Sequence, residues 1–154
     1  MYLMGIDVGT SGVKVILIDE SGAQAAEATG TYPIHSPFPS WFEQNPDDWW
    51  NAAVQAVRGV LAGGSVRPAD IAGIGLSGQY HGLVVLDGDH RVLRPAILWN
   101  DQRTAKQSAA IVQKIGEKKL LGIAATGGAP YFTACKLQWV RDNEPEVFER
   151  VRSM

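Results

Sequence analysis

The sequence predicts an α/β fold, a sheet whose first three strands are antiparallel with helices flanking it, and three observations carry that expectation. Residues 2 to 8, 13 to 19 and roughly 23 to 31 are runs of β-branched and aliphatic residues separated by Gly-Thr-Ser-Gly and Glu-Ser-Gly turns. A helical pattern follows from Asn45, and a second, longer one from Asp101.

Taken in order, the short turns between the first strands leave room only for antiparallel neighbours. The run "HSPFPSWFEQNP", with three prolines, is expected to be an ordered but irregular connection. Asn45 then suits an N-cap, with Pro46 at the first helical position and Asp47 and Asp48 in the first turn. Trp50, Ala53, Val54, Val57, Val60 and Leu61 recur at helical spacing up to the Gly63-Gly64 stop. "DIAGIGLSG" and "GLVVLD" read as two further strands, with "GDH" turning onward to "RVLRPAILW". The plan of the first hundred residues is therefore β-β-β-α-β-β. "DQRTAKQSAAIVQKIGEKKLLG" and "TACKLQWVRDNEPEVFERVR" are helical on either side of the loop "GGAPYF", with Leu137, Trp139 and Val140 facing a core.

The totals narrow the classes. A chain of 154 residues fits one domain and at this size buries roughly 68–70% of its unfolded surface. A formal net charge of −2, with acids and bases interspersed, argues against nucleic acid or an anionic membrane as the main partner. The single cysteine, Cys135, forms no internal disulfide and suits a small buried side chain. There is neither a basic n-region nor an apolar run of roughly 18 residues. A cytoplasmic setting is expected.

Three stretches carry chemistry. In "MGIDVGTSG", Asp7 sits at a strand end between Gly5 and Gly9, where the missing Cβ atoms leave space for a phosphate or metal ion. Gly9, Thr10 and Ser11 form a tight turn with amides and hydroxyls suited to phosphate oxygens. A hairpin whose Asp only accepts turn hydrogen bonds reads equally well from this stretch alone. "GTSGVK" is no Walker loop, because the spacing to Lys14 is short and a strand follows. "GIGLSG" matches G-x-G-x-x-G literally, but Gly73, Gly75 and Gly78 lie within a strand and no helix opens after them. In "SGQYHG", Gln79, Tyr80 and His81 combine hydrogen-bonding groups with a ring, as a sugar or polyol pocket does, although a plain loop histidine fits too. "WNDQR" brings an aromatic, Asp101 and Arg103 together, and Asn100 or Asp101 also suits capping of the next helix.

Together, "GIDVGTSGVK", "WFEQNPDDWW", "SGQYHG", "RPAILWNDQR" and "FTACKLQWVRDNEPEVF" resemble, in order and spacing, the N-terminal domain of FGGY-type carbohydrate kinases over nearly all of residues 1–154. "SGQYHG" with "LWNDQR" points to the branch acting on xylulose rather than glycerol. The resemblance implies an actin-like ATPase, ribonuclease-H-like domain, the first of two that clamp ATP and a sugar. It makes Asp7 the acid that positions Mg²⁺–ATP through water, and Gly9, Thr10 and Ser11 the first phosphate loop. Tyr80 and His81 match the sugar-binding step, Gln79 stands beside them, and Asp101, Arg103 and the Tyr131-Phe132 loop line or support the pocket.

The implied reaction is ATP-dependent phosphorylation of D-xylulose at its terminal hydroxyl. Glycerol, ribulose or gluconate are the alternative substrates, and a non-catalytic sugar-binding module is the alternative class. The catalytic base and the adenosine site are expected beyond Met154 in a missing C-terminal domain, so the fragment alone is expected to be inactive. An apolar face left exposed for that domain, with self-association of the chain, is expected as well. Three positions depart from the family's pattern: Cys135 stands for a common Pro, Gly128 for an Asn, and Tyr80 for a Met.

Overall fold

The computed structural model describes residues 1–64 and 66–154. Composition allows one domain, but the chain forms two compact units, Met1–Pro33 with Asp47–Gln79 and Ile34–Pro46 with Tyr80–Met154.

The first unit is a four-stranded sheet in the order β3-β2-β1-β5. Strands β1 (Tyr2–Val8), β2 (Gly12–Asp19) and β3 (Gln24–Thr31) lie where the turn pattern puts them and pair antiparallel, with Asp7 opposite Lys14. Strand β5 (Ile71–Gly78) returns parallel to β1, so the sheet is mixed, and Ser77 lies beside Asp7 in the register. Helix α1 (Pro46–Ala62) covers one face. Its buried line is Ala52, Ala56 and Val60, supported by Trp49, Ala53 and Val57, and these pack against Met4, Val13, Val15 and Leu17.

That line corrects the expected one, for Trp50 is 71% exposed and Trp49 takes the inward place. Small residues set the rotation. A Cβ on Gly30 would come within 3.0 Å of Ala52, and one on Gly59 within 3.0 Å of Ala28, so helix and sheet touch along that seam. On the sheet itself Leu3 is exposed on the face away from α1, and Ile74 and Leu76 on the edge strand β5 are exposed on the other.

The second unit departs further from the expectation. Segments 82–87 and 91–99 do not form long strands. Their hydrogen bonds are split among several partners: Leu83 exchanges two with Ile97, Leu93 donates to Val85, and Leu86 pairs with Ser153. The pairs between these segments nest around the turn at 87–90, but the register changes between Leu83–Ile97 and Leu86–Val92, and Pro95 lacks an N–H to bridge the gap. What forms is a two-stranded sheet of β4 (Glu43–Gln44), inside the proline-rich run, and β6 (Ala96–Ile97).

The first helical run is also divided, into α2 (Ala105–Ile115) and α3 (Glu117–Ala124). The break is Gly116 at φ +85°, a backbone state that glycine adopts without Cβ strain. Helix α2 starts after Thr104, so neither Asn100 nor Asp101 caps it. Helices α4 (Thr133–Asn143) and α5 (Pro145–Arg150) are separated at Pro145. Trp139 and Val140 are buried with Leu83, Val85 and Ile97, as the spacing predicts, and Cys135 is buried too.

Candidate functional site

The candidate residues fall on both units, and each group has its own geometry. In the first unit, β1 delivers Asp7 to the exposed face of the sheet one pleat before the turn. It borders a hollow of about 360 Å³ shared with Gly5, Lys14, Gln24, Gly75 and Ser77. The turn beyond is tightly held: the Gly9 N–H donates to the Gly12 carbonyl at 2.9 Å, and the Tyr32 hydroxyl donates to the Gly9 carbonyl at 2.6 Å. The Gly9 amide therefore faces into the turn, leaving Thr10 and Ser11 at its tip. A Cβ on Gly12 would lie 2.4 Å from the Gly30 carbonyl oxygen, so no larger residue fits where the turn enters β2.

Tyr32 is a supporting residue that the sequence motifs did not reveal. Burial pushes its hydroxyl up from its ordinary pKa, and the Asp7 charge adds to the effect. The phenol thus stays protonated and able to donate to the loop.

Among the described residues no cluster of three or more His, Cys, Asp or Glu could enclose a metal ion. Asp7 is a single exposed carboxylate. Such a donor suits a hard cation that keeps most of its own water and reaches the protein through it. Gln79 closes this unit, its N–H donating to the Val8 carbonyl at 2.9 Å.

In the second unit, His81 is half-buried and has φ +59°, the left-handed region that non-glycine residues adopt infrequently. Its ring sits among aromatics: Tyr80 edge-on at 4.5 Å, Phe132 edge-on at 5.0 Å and Tyr131 tilted at 5.7 Å. Tyr80 is 69% exposed and Tyr131 is 40% exposed, so the cluster presents rings and a hydroxyl to solvent. Beside it lies an apolar hollow of about 560 Å³ lined by His81, Leu120, Thr126, Phe132 and Cys135. Burial raises the Cys135 thiol above its usual pKa, which keeps it protonated and unreactive at neutral pH.

Asp101 and Arg103 have partners inside the protein. Neither side chain is exposed, and Arg103 Nη2 meets Asp101 Oδ2 at 2.8 Å. Asp101 Oδ2 also accepts the Phe42 N–H at 2.7 Å, while Arg103 Nη1 reaches Glu43 at 2.7 Å. Arg94 pairs with the same Glu43 oxygen and with Glu144. The guanidinium of Arg103 lies 3.9 Å from the Trp41 ring centroid and 4.9 Å from that of Trp139. The pair thus ties the "WNDQR" loop to the proline-rich segment from within the fold, and the role it can fill is support of the pocket rather than its lining.

Sequence reasoning overlooked Glu43, Arg94 and above all Lys136, whose side chain is fully buried. The signal was present in "TACKLQWV": Lys136 is on the helical stripe of Trp139 and Val140, where a lysine belongs only if its charge has a use. At Gly128 a Cβ would lie 2.2 Å from Val112 Cγ2, so the loop as packed has no room for a side chain there.

The mixed sheet of this order with its covering helix is that of a carbohydrate-kinase domain. The chain belongs to the FGGY family of carbohydrate kinases, whose N-terminal domain matches residues 2–154. It is 43% identical over 149 residues to the xylulose kinase of Bacillus subtilis (strain 168), covering 97% of this chain and 30% of that protein. It is 42% identical over 153 residues to the xylulose kinase of Escherichia coli (strain K12), covering 98% of this chain and 30% of that one. The crystal structure of a xylulose kinase from Brucella ovis superposes with a TM-score of 0.93 at 40% identity, covering 99% of this chain and 32% of that structure. The fold is therefore that of the actin-like sugar kinases, and the chain spans about 30% of the length of the curated relatives it matches.

Proposed function

We propose that this chain is the sugar-binding part of a xylulose kinase, an enzyme that phosphorylates D-xylulose to D-xylulose 5-phosphate with ATP and Mg²⁺. The observation that carries the reading is the similarity to xylulose kinases over nearly the whole chain, which includes the His81 cluster and the Asp7 turn.

Phosphoryl transfer depends mainly on positioning and on neutralising charge. In this reading Asp7 holds the hydrated cation of the nucleotide, and Thr10 and Ser11 receive phosphate oxygens. The bound cation supplies charge neutralisation on those oxygens. On the second unit, His81 and the Tyr80 hydroxyl orient sugar hydroxyls, with Gln79 adding an amide. Asp101 and Arg103 hold the loop behind them. The base that accepts the sugar hydroxyl proton is assigned to a carboxylate outside these residues, so the chain alone binds sugar without phosphorylating it. The reading assigns the protein to the cytoplasm; among the described residues no helix is long and apolar enough to cross a membrane.

The test is a panel of acceptors given to the complete gene product: D-xylulose, D-ribulose, glycerol and gluconate. The highest kcat/KM for D-xylulose is expected. A preference for glycerol, ribulose or gluconate would move the enzyme to another branch of the family, and absence of any phosphorylation would favour a binding module.

A further inference from the structure

We infer that Lys136 is a positioning residue of the sugar pocket, its ammonium drawing together the carbonyl oxygens of His81 and Tyr131 and so fixing the direction of the His81 ring. Lys136 Nζ donates to the His81 carbonyl at 2.5 Å and to the Tyr131 carbonyl at 2.6 Å. These carbonyls belong to chain segments far apart in sequence, and the residues bearing them supply two rings of the same aromatic cluster.

Three physical arguments support this. A fully buried lysine is uncommon, and packing alone would be served better by leucine or methionine, which carry no desolvation cost. The head group makes its hydrogen bonds to backbone oxygens, which are neutral, so the gain lies in geometry as much as in charge. One of those oxygens belongs to His81, whose left-handed backbone is an infrequent state for a non-glycine residue, and a charge-assisted hydrogen bond at its own carbonyl holds it there. Asp101, held by Arg103, provides the nearby negative charge that favours the ammonium. The buried ion network and the exposed ring cluster are thereby linked through a single side chain that itself need not touch the sugar.

The inference rests on the ketose-kinase reading, and the experiment separates the two. The complete gene product is assayed unsubstituted and as Lys136→Met, with ketose KM, nucleotide KM, kcat and thermal midpoint all measured. Loss of one charge-assisted restraint is expected to raise the ketose KM about tenfold, with the nucleotide KM within about twofold of its starting value. Lys136→Gln, which keeps two N–H donors without the charge, is expected to fall between them. A folded Lys136→Met protein with unchanged ketose KM, or one in which ketose and nucleotide KM rise together, overturns the positioning role.

If neither variant folds, the unsubstituted protein decides. Burial holds the ammonium down to about 8, against the opposing influence of Asp101 and Cys135 and with that of Arg103. The ketose KM should then rise as pH passes about 8 while the nucleotide KM stays level. A level ketose KM throughout overturns the inference. If the unsubstituted protein phosphorylates no ketose, the functional reading fails and the inference falls with it.

Discussion

Arg103 and Asp101 form a bidentate ion pair in which neither side chain reaches solvent: Nη2 and Nε both contact Oδ2, at 2.8 and 3.0 Å. Removing one member leaves the other charged and buried. Arg103→Met is therefore expected to destabilise the chain by about 3–5 kcal/mol, and Arg103→Lys by a large part of that, since an ammonium cannot reproduce the fork or the stacking on Trp41. Urea unfolding of the variants, compared at constant m-value, measures both.

His81 holds a left-handed backbone inside the aromatic cluster. Replacing it by glycine suits that backbone state and removes the ring. His81→Gly should leave stability within about 1 kcal/mol of the original while abolishing measurable selectivity for D-xylulose. Thermal denaturation alongside calorimetric sugar titration of the complete gene product checks the two halves.

The buried ammonium of Lys136 links stability to pH. Its pKa falls from the usual 10.5 to about 8, with burial as the largest cause, so between these values the unfolded chain binds the extra proton. Stability from this group therefore rises with pH across that window, and its full cost is present below about pH 8. Relative to Lys136→Met, the unsubstituted protein should gain about 3 kcal/mol between neutrality and the upper end of the window. Tyr32 titrates in both proteins and cancels, and because the Lys136 charge also acts on the Cys135 thiol the comparison is made in a Cys135→Ala background. A pH-independent difference would contradict the assignment.

At Gly128 the collision with Val112 Cγ2 at 2.2 Å makes an asparagine unsuited to this loop as packed. Gly128→Asn should cost about 1–3 kcal/mol, and Gly128→Asn with Val112→Ala should recover part of it. The double-mutant cycle in denaturant gives the coupling directly.

The first unit was legible because its signals are local. Turn glycines mark the ends of β1, β2 and β3; β1 and β2 pair in one unbroken register, and β2 and β3 do so up to an irregularity at Leu17/Ile18. The second unit was not, because its pairs are distant in sequence: Glu43 with Arg94 and Arg103, Leu83 with Ile97, and Lys136 with His81. Periodicity cannot report such contacts. It placed Trp139 and Val140 inside but was silent on Lys136, which lies on the same face of the helix. For the site, "SGQYHG" and the Asp7 turn stood out by residue type, whereas the internal pairing of Asp101 with Arg103 required the fold to bring Phe42 and Glu43 alongside.

The most direct test of the central claim is to incubate the complete gene product with ATP, Mg²⁺ and D-xylulose and to identify the product by phosphorus NMR. A phosphomonoester on the terminal carbon of xylulose, lost in His81→Ala, is the predicted result. Stoichiometric recovery of unmodified D-xylulose, with glycerol or gluconate phosphorylated in parallel reactions, would contradict it.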